Sequence, residues 1–462
     1  AWTRGLSMVM GSSIYAFACM LASFLLGIAL GSLAAQRMAD RVRRPLVAYA
    51  AGIAVLGVLS LGSLSLLPLL PTAFMALVRS FGGSSLLLVL SQIAVAIAVM
   101  FPPAFVLGAL FPLLVRAQTD VEGAAPAVGD VYFVNTVGSA AGAFLAGFVL
   151  LPWLGLRGTA ALAIAVNLAA GAALLLWRGS ERPRLRLAFA AAPAALALAI
   201  VIHPPPLDVS TLALGGYVAT RIFDESPDPS LLEGVPSEEM LYYRDGLSAT
   251  VSVHQLRAQR ALHLNGKSDA STGGDMATQV LLAQAPMLFG KPPRNVLVIG
   301  WASGVTVGSA ARHSSVERVD AVELEPAMIE ASHFFEHVNS KPLENPRVNV
   351  IIEDGRHYVE TTKTKYDVII SEPSNPWLTG VANLFTREYF AAARRALTPD
   401  GRLVAWFPLY AMDPPALRSV LAALRAEFPN TYALMLSRDV PDLMLLATMQ
   451  PLTPADLPRW ES

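Results

Sequence analysis

Apolar residues run in long blocks through the first part of the chain, at 7–34, 45–70, 86–115, 130–152, 158–177 and 187–202, and the blocks stop at His203-Pro-Pro-Pro. A run of about 20 apolar residues covers a bilayer core, so the pattern predicts a transmembrane helical domain over 1–203 with about six spans. The block at 187–202 is the weakest, being short and carrying Pro193. Gly27, Gly31, Gly138, Gly142 and Gly147 lie inside the blocks, where small residues let membrane helices approach closely. The chain starts at Ala1, close to the first block, which raises the expectation of a further helix on its N-terminal side.

After residue 203 the pattern shortens and begins to alternate. The stretch 204–239, rich in Pro, Asp, Ser and Gly, reads as a linker with one strand at most. Ala249-Thr-Val-Ser-Val-His and Arg260-Ala-Leu-His-Leu-Asn read as a β-hairpin, and with a helix near 275–289 they make a small region over 240–290. Over 291–462, strands at 295–300, 318–323, 347–352, 366–371, 402–408, 431–437 and 443–449 alternate with helical segments, the order of a Rossmann-like, doubly wound α/β sheet. The last two strands are joined by Asp-Val-Pro-Asp alone and are expected to be antiparallel.

Composition sharpens the membrane reading. Hydrophobic residues make up 54% and charged residues 15% of the chain, against roughly 25% charged in soluble domains. There is no lysine from Ala1 to Trp177. The strongly basic connections are Arg37, Arg41, Arg43 and Arg44, then Arg178, Arg182, Arg184 and Arg186, and four blocks separate them, so both can face the cytoplasm together. Gly31 to Arg44 also resembles a short cytoplasmic loop signature of major facilitator transporters. If 187–202 crosses the bilayer, the C-terminal domain emerges on the far side; if it lies in the interface, the domain stays inside, and the residues leave both open.

Charge and cysteine exclude some partners. The net charge of −1, with no basic patch interleaved by aromatics, gives no sign of a nucleic-acid partner. Cys19 is the single cysteine, so neither an intrachain disulfide nor a cysteine-based metal site can form. No cluster of His, Cys and acid has ligand spacing, and no metal is expected.

The candidate chemistry starts at Asn295-Val-Leu-Val-Ile-Gly-Trp-Ala-Ser-Gly304, a strand that stops in a glycine turn. Glu323 ends the next strand about 20 residues on, where a carboxylate reaches ribose hydroxyls in nucleotide-binding sheets. Asp354-Gly355 ends the one after. Together they predict a nucleoside-binding half-sheet. Plainer roles compete: Glu323 and Asp354 as helix caps, Glu372 as a solvated loop acid, His254 and His263 as strand-face residues, Trp377 and Tyr410 as packing or as pocket walls.

Beyond these patterns, several ordered motifs resemble the spermidine synthase family, and within it a bacterial membrane branch in which a transporter-like helical region precedes the synthase domain. They are Tyr242-Tyr-Arg-Asp-Gly-Leu-Ser-Ala-Thr-Val-Ser-Val, Leu264-Asn-Gly-Lys-Ser-Asp-Ala-Ser-Thr, Asp275-Met-Ala-Thr-Gln279, Val296 to Gly304, Val322-Glu-Leu-Glu-Pro and Tyr366-Asp-Val-Ile-Ile-Ser-Glu-Pro-Ser-Asn-Pro-Trp. The resemblance implies a class I methyltransferase-type fold. It implies that Gly300 to Gly304, including Ser303, hold the nucleoside sulfonium, that Glu323 binds the ribose, and that Asp354 with Gly355 meets the adenine edge. It makes Glu372 the general base and puts Asp269, Asp275, Gln279, Asn375 and Tyr410 on the substrate side.

The departures concern charge. The family has Asp at the positions of Ser303, Asn375 and Asn265, and Asp rather than Glu at 372; Asp269 and Asp275 are candidates to compensate. Three readings of function follow. One is aminopropyl transfer from decarboxylated S-adenosylmethionine to an amine such as putrescine. Another, favoured by Ser303, is methyl transfer from S-adenosylmethionine. The third is a non-catalytic binding or transport role, for which about six helices, half a major facilitator transporter, would call for a homodimer.

Overall fold

The computed structural model describes residues 2–39, 41–81, 85–122, 124–178, 183–213, 239–378, 380–410, 412–435 and 442–453. The strand allowed for within 204–239 therefore lies outside the described residues, apart from a short helix at Val209–Ala213. The chain divides into two compact units, a helical one ending at residue 229 and an α/β one from residue 230.

In the helical unit, five helical stretches are long and apolar enough to cross a membrane: Ile14–Met38, Pro45–Val78, Leu86–Thr119, Ala125–Trp177 and Pro183–Ile202. The six apolar blocks become five because those at 130–152 and 158–177 share one stretch of 53 residues. At 1.5 Å per residue that stretch would be roughly 80 Å long if straight, more than twice a bilayer core of about 30 Å. It is not straight: a π-helical turn occupies Leu145–Leu150, and Gly155 leaves helical geometry at φ 66°. The first block is also divided, with a separate helix at Trp2–Met10 before Ile14–Ala39.

Small residues set some of the packing, as expected, but not all of it. A Cβ on Gly31 would lie 1.9 Å from the carbonyl oxygen of Phe105, and one on Gly108 2.2 Å from that of Ile28, so Ile14–Ala39 and Ser85–Glu122 meet backbone to backbone. Gly138, Gly142 and Gly147, expected to act in the same way, face nothing within 4 Å among the described residues. The core gathers Leu6, Phe74, Val99, Ile164 and Leu168. Inside it Ser63 donates to the Val99 carbonyl at 2.8 Å and Gln92 Nε2 to that of Met10 at 3.1 Å, whereas Gln92 Oε1 and the Thr159 hydroxyl have no hydrogen-bond partner among the described residues.

The α/β unit opens with a four-stranded antiparallel sheet, β1 (Glu239–Asp245), β2 (Thr250–Leu256), β3 (Gln259–Leu264) and β4 (Lys267–Ser271), in that order. The expected hairpin is β2–β3. Asn265-Gly266 joins β3 to β4 with φ values of 50° and 80°, the paired positive angles that favour Asn-Gly. Val251, Val253 and Leu262 pack on Ala327, Met328 and Phe335.

Seven further strands are β5 (Asn295–Ile299), β6 (Arg318–Glu323), β7 (Val348–Ile352), β8 (Tyr366–Ser371), β9 (Leu397–Pro408), β10 (Asn430–Met435) and β11 (Asp442–Thr448). They form one sheet in the order β10-β11-β9-β8-β5-β6-β7. From β9 to β7 neighbours run parallel, and β11 and β10 return antiparallel, as the short final connection predicts. Helices cover both faces, so alternate residues of β5 enter different cores: Leu297 and Ile299 join Phe390 and Phe407, whereas Val296 and Val298 join Leu282 and Val307. That is why β5 reads as a continuous apolar run. Strand order reverses between β5 and β8, and the crevice beyond the carboxyl ends of such strands is where this architecture binds ligands.

Candidate active site

The carboxyl ends of β5 and β8 are held together by backbone. The Glu372 N–H donates to the Ile299 carbonyl at 2.9 Å, and a Cβ on Gly300 would stand 2.3 Å from the Glu372 carbonyl oxygen. Gly300 also has φ +95°, so only glycine suits this turn. Gly304, at φ +79°, leads into the helix Val305–Ala311.

The acid after β6 braces the same turn. Glu323 accepts the Trp301 N–H at 2.9 Å on one oxygen and the Glu325 N–H at 2.9 Å on the other. Burial pushes its pKa up to about 7, although those backbone donors pull the other way. A carboxylate has about four lone-pair sites, so capacity remains for a hydroxyl donor beside the backbone bonds. Asp354 caps the helix Gly355–Thr361 by accepting the His357 N–H at 2.9 Å through Oδ1. The cap expected as the plainer role is therefore present, and it engages one of the two oxygens. A Cβ on Gly355 would come within 2.5 Å of Ile299 Cγ2, so this turn packs against the end of β5.

A polar network joins the small sheet to the glycine turn. Asp275 precedes the helix Met276–Leu288 and accepts the Ser271 N–H at 2.7 Å, the Ser271 hydroxyl, and Gln279 Nε2 at 3.0 Å. Gln279 Oε1 in turn accepts the Ser303 hydroxyl at 2.5 Å, and the Gln279 carbonyl accepts that of Thr306 at 3.0 Å. Ser303 is 1% exposed. Its hydroxyl is thus turned to Gln279 in the protein interior, and what the turn offers a ligand from this residue is position rather than charge.

Glu372, the residue after β8, sits among acids. Burial first, and then the charges of Asp275, Asp442 and Asp269, push its pKa up to about 8 against a hydrogen bond from Thr306. Asp269, on β4, accepts the Ser374 hydroxyl at 2.6 Å and ties the small sheet to the loop after Glu372. In that loop Asn375 is fully buried; its Nδ2 donates to the Tyr410 hydroxyl at 3.0 Å, and its Oδ1 has no hydrogen-bond partner among the described residues. Trp377 meets Tyr410 edge to face, centroids 5.8 Å apart.

Asp442 and Thr306 are the residues that sequence reasoning missed. Asp442 is 3% exposed, accepts the Thr278 hydroxyl at 3.1 Å, and lies opposite Pro408 in the β11–β9 register. Read as a turn residue, it gave no signal; the antiparallel return of β11 brings it to the end of the sheet that carries Glu372. His254 and His263 stack at 4.7 Å on the small sheet, with Ser252 against His254 at 2.8 Å.

Residues 275–443 match the sequence profile of the spermine/spermidine synthase domain. Polyamine aminopropyltransferase 2 of Streptomyces coelicolor is 27% identical over 433 residues, covering 91% of this chain and 72% of that protein. The polyamine aminopropyltransferase of Methanocaldococcus jannaschii is 36% identical over 156 residues, 33% of this chain and 53% of that one. The match spans about half the length of this and the other curated relatives beyond the Streptomyces protein. A solved spermidine synthase from Thermotoga maritima superimposes with a TM-score of 0.43 at 24% identity, over 48% of this chain and 76% of that one.

Proposed function

We propose that this chain, which carries a spermine/spermidine synthase domain, is a membrane-bound aminopropyltransferase that moves an aminopropyl group from decarboxylated S-adenosylmethionine to an amine. The observation that carries the reading is Glu372: a half-buried carboxyl beside the glycine turn, among Asp269, Asp275 and Asp442, with desolvation and those charges raising its pKa to about 8. Such a group is a stronger base than a solvated carboxylate, and its surroundings favour cations.

In the proposed reaction, Gly300 to Gly304, Glu323 and Asp354 hold the adenosyl part, leaving the sulfonium near Glu372. The acceptor amine forms a bond to the carbon next to sulfur, the carbon–sulfur bond breaks with its electron pair going to sulfur, and a neutral thioether remains. Because only a neutral amine has the lone pair that attacks, an acceptor entering as an ammonium ion first gives one proton to Glu372; the product nitrogen leaves as a secondary ammonium, and Glu372 returns its proton to water. Two cations entering the site lower the Glu372 pKa from its value in the empty protein, which readies the carboxylate as the reactants arrive. Holding amine and carbon in line supplies much of the remaining acceleration.

The nucleoside half of the proposal is tested by calorimetry with methylthioadenosine. Glu323→Ala is expected to weaken binding by about 1–3 kcal/mol, as is Asp354→Ala, with the Glu323 variant the more affected because it also releases the Trp301 N–H. Undiminished affinity in both variants would remove the nucleoside assignment.

The reading also puts the α/β unit on the cytoplasmic side of the bacterial inner membrane, where the donor is made. That side is shared with Arg41–Arg44 if Ala125–Trp177 crosses once and Pro183–Ile202 crosses too, or if the former crosses twice and the latter lies in the interface. Single cysteines at Arg43→Cys and Lys363→Cys, in a Cys19→Ser background, should both resist a membrane-impermeant thiol reagent in intact cells and react after permeabilisation. Labelling of Lys363→Cys in intact cells would contradict this placement.

A further inference from the structure

A diamine brings two positive charges into a buried site, and each needs a partner, since an unpaired charge out of water is costly. Glu372 meets the reacting nitrogen. Asn375, beside it, is fully buried and neutral; its unpartnered Oδ1 can accept one N–H bond but supplies no charge. Asp275 is engaged by Ser271 and Gln279. The partner for the second ammonium must come from elsewhere in the site.

We propose that Asp442 determines the acceptor by receiving the second ammonium group of a short diamine whose first nitrogen is presented to Glu372. The inference rests on the aminopropyltransferase reading and extends it to the acceptor class. Asp442 begins β11, and Glu372 follows β8, with β9 between them. Neighbouring strands lie about 4.8 Å apart, so the two residues start roughly 10 Å apart at the same end of the sheet. That spacing suits a chain of a few methylenes between two nitrogens.

The surroundings agree with this assignment. Asp442 shares its sheet face with Met444 and Leu446, which pack in the core that includes Leu282 and Met287 of the helix Met276–Leu288. Its bond from Thr278 ties it to that helix one residue before Gln279, which is bonded to Ser303 and Thr306 of the glycine turn. Pro408, opposite Asp442, is two residues before Tyr410, the partner of Asn375. The charge of Asp442 is also felt at Glu372, whose pKa it raises.

The test compares 1,4-diaminobutane with butylamine as acceptors for the purified full chain, with decarboxylated S-adenosylmethionine as donor. Asp442→Asn keeps the bond from Thr278 and removes the charge. It should raise KM for the diamine about 10–100-fold more than KM for butylamine, and with both amines the acid limb of the pH profile should move to lower pH. Asp442→Glu should restore diamine use and shift preference toward 1,3-diaminopropane. Equal effects on KM for both amines, or no effect of Asp442→Asn, would overturn the proposal. Calorimetry of the two amines on protein loaded with methylthioadenosine keeps the two readings separable. If the wild type transfers nothing yet binds the diamine through Asp442, the transferase reading falls and this one stands. If Asp442→Asn does not fold, an unchanged chain-length preference in Asp442→Glu overturns the proposal.

Discussion

Replacing Glu372 by Gln is expected to lower turnover by about 10²–10⁴-fold while leaving the affinity for an adenosyl ligand nearly unchanged. The amide keeps the shape of the side chain and cannot take the proton. The pH dependence follows from the same group. With its pKa raised to about 8 in the empty site, the free enzyme lacks its base at lower pH, so kcat/KM should fall about tenfold per unit below that value. Stability changes in the opposite direction: a carboxyl whose pKa is raised by folding stabilises below its unfolded value and loses that contribution as pH rises through the folded one. Glu372 and Glu323, raised to about 8 and about 7, should therefore lower the melting temperature of the unliganded protein as pH goes from 5 to 8. Glu372→Gln should flatten that slope. Full activity in Glu372→Gln, or a melting temperature that rises over this interval, would show that Glu372 is not the base described.

Gly300→Ala is expected to be strongly damaging to the α/β unit. The added carbon would sit 2.3 Å from the Glu372 carbonyl, at a residue whose φ is +95°. The obstacle is backbone, so no side chain can swing away. Strain of about 1–3 kcal/mol for the dihedral alone, before the clash, predicts a melting temperature at least roughly 3–10 °C lower and loss of adenosyl binding, because the turn and the base share this contact. Gly380→Ala is a suitable control: it too has positive φ, but nothing lies within 4 Å of the added carbon. Comparable damage from both would place the cost in the dihedral rather than in the β5–β8 junction.

Legibility from sequence varied with how local the determining physics is. Strands β5, β6 and β8 were readable almost to the residue because burial on both faces writes each as a short apolar run closed by Gly, Glu or Ser. The position of Glu372 directly after β8 was legible, and the resemblance to the spermidine synthase family suggested a role as base for it. The orientation of a hydroxyl was not: nothing in the spacing of Ser303 reveals that Gln279, 24 residues earlier, turns it inward. Asp442 was hidden for a topological reason, since its meaning depends on a strand that returns antiparallel beside β9. In the helical unit, the gap between the apolar blocks 130–152 and 158–177 coincides with a break in helical geometry at Gly155, whereas the π-helical turn at Leu145–Leu150 lies inside the first block and leaves no mark in hydropathy. Nor could Gly138 and Gly142 be told apart from Gly31, because packing depends on which helix stands opposite.

The most direct measurement is the mass of the product formed when the purified chain is incubated with decarboxylated S-adenosylmethionine and 1,4-diaminobutane, in parallel with S-adenosylmethionine and the same amine. The account predicts a diamine heavier by one aminopropyl unit, together with methylthioadenosine, in the first mixture and no modified amine in the second. A methylated amine from the second mixture, or no product from the first, would contradict it.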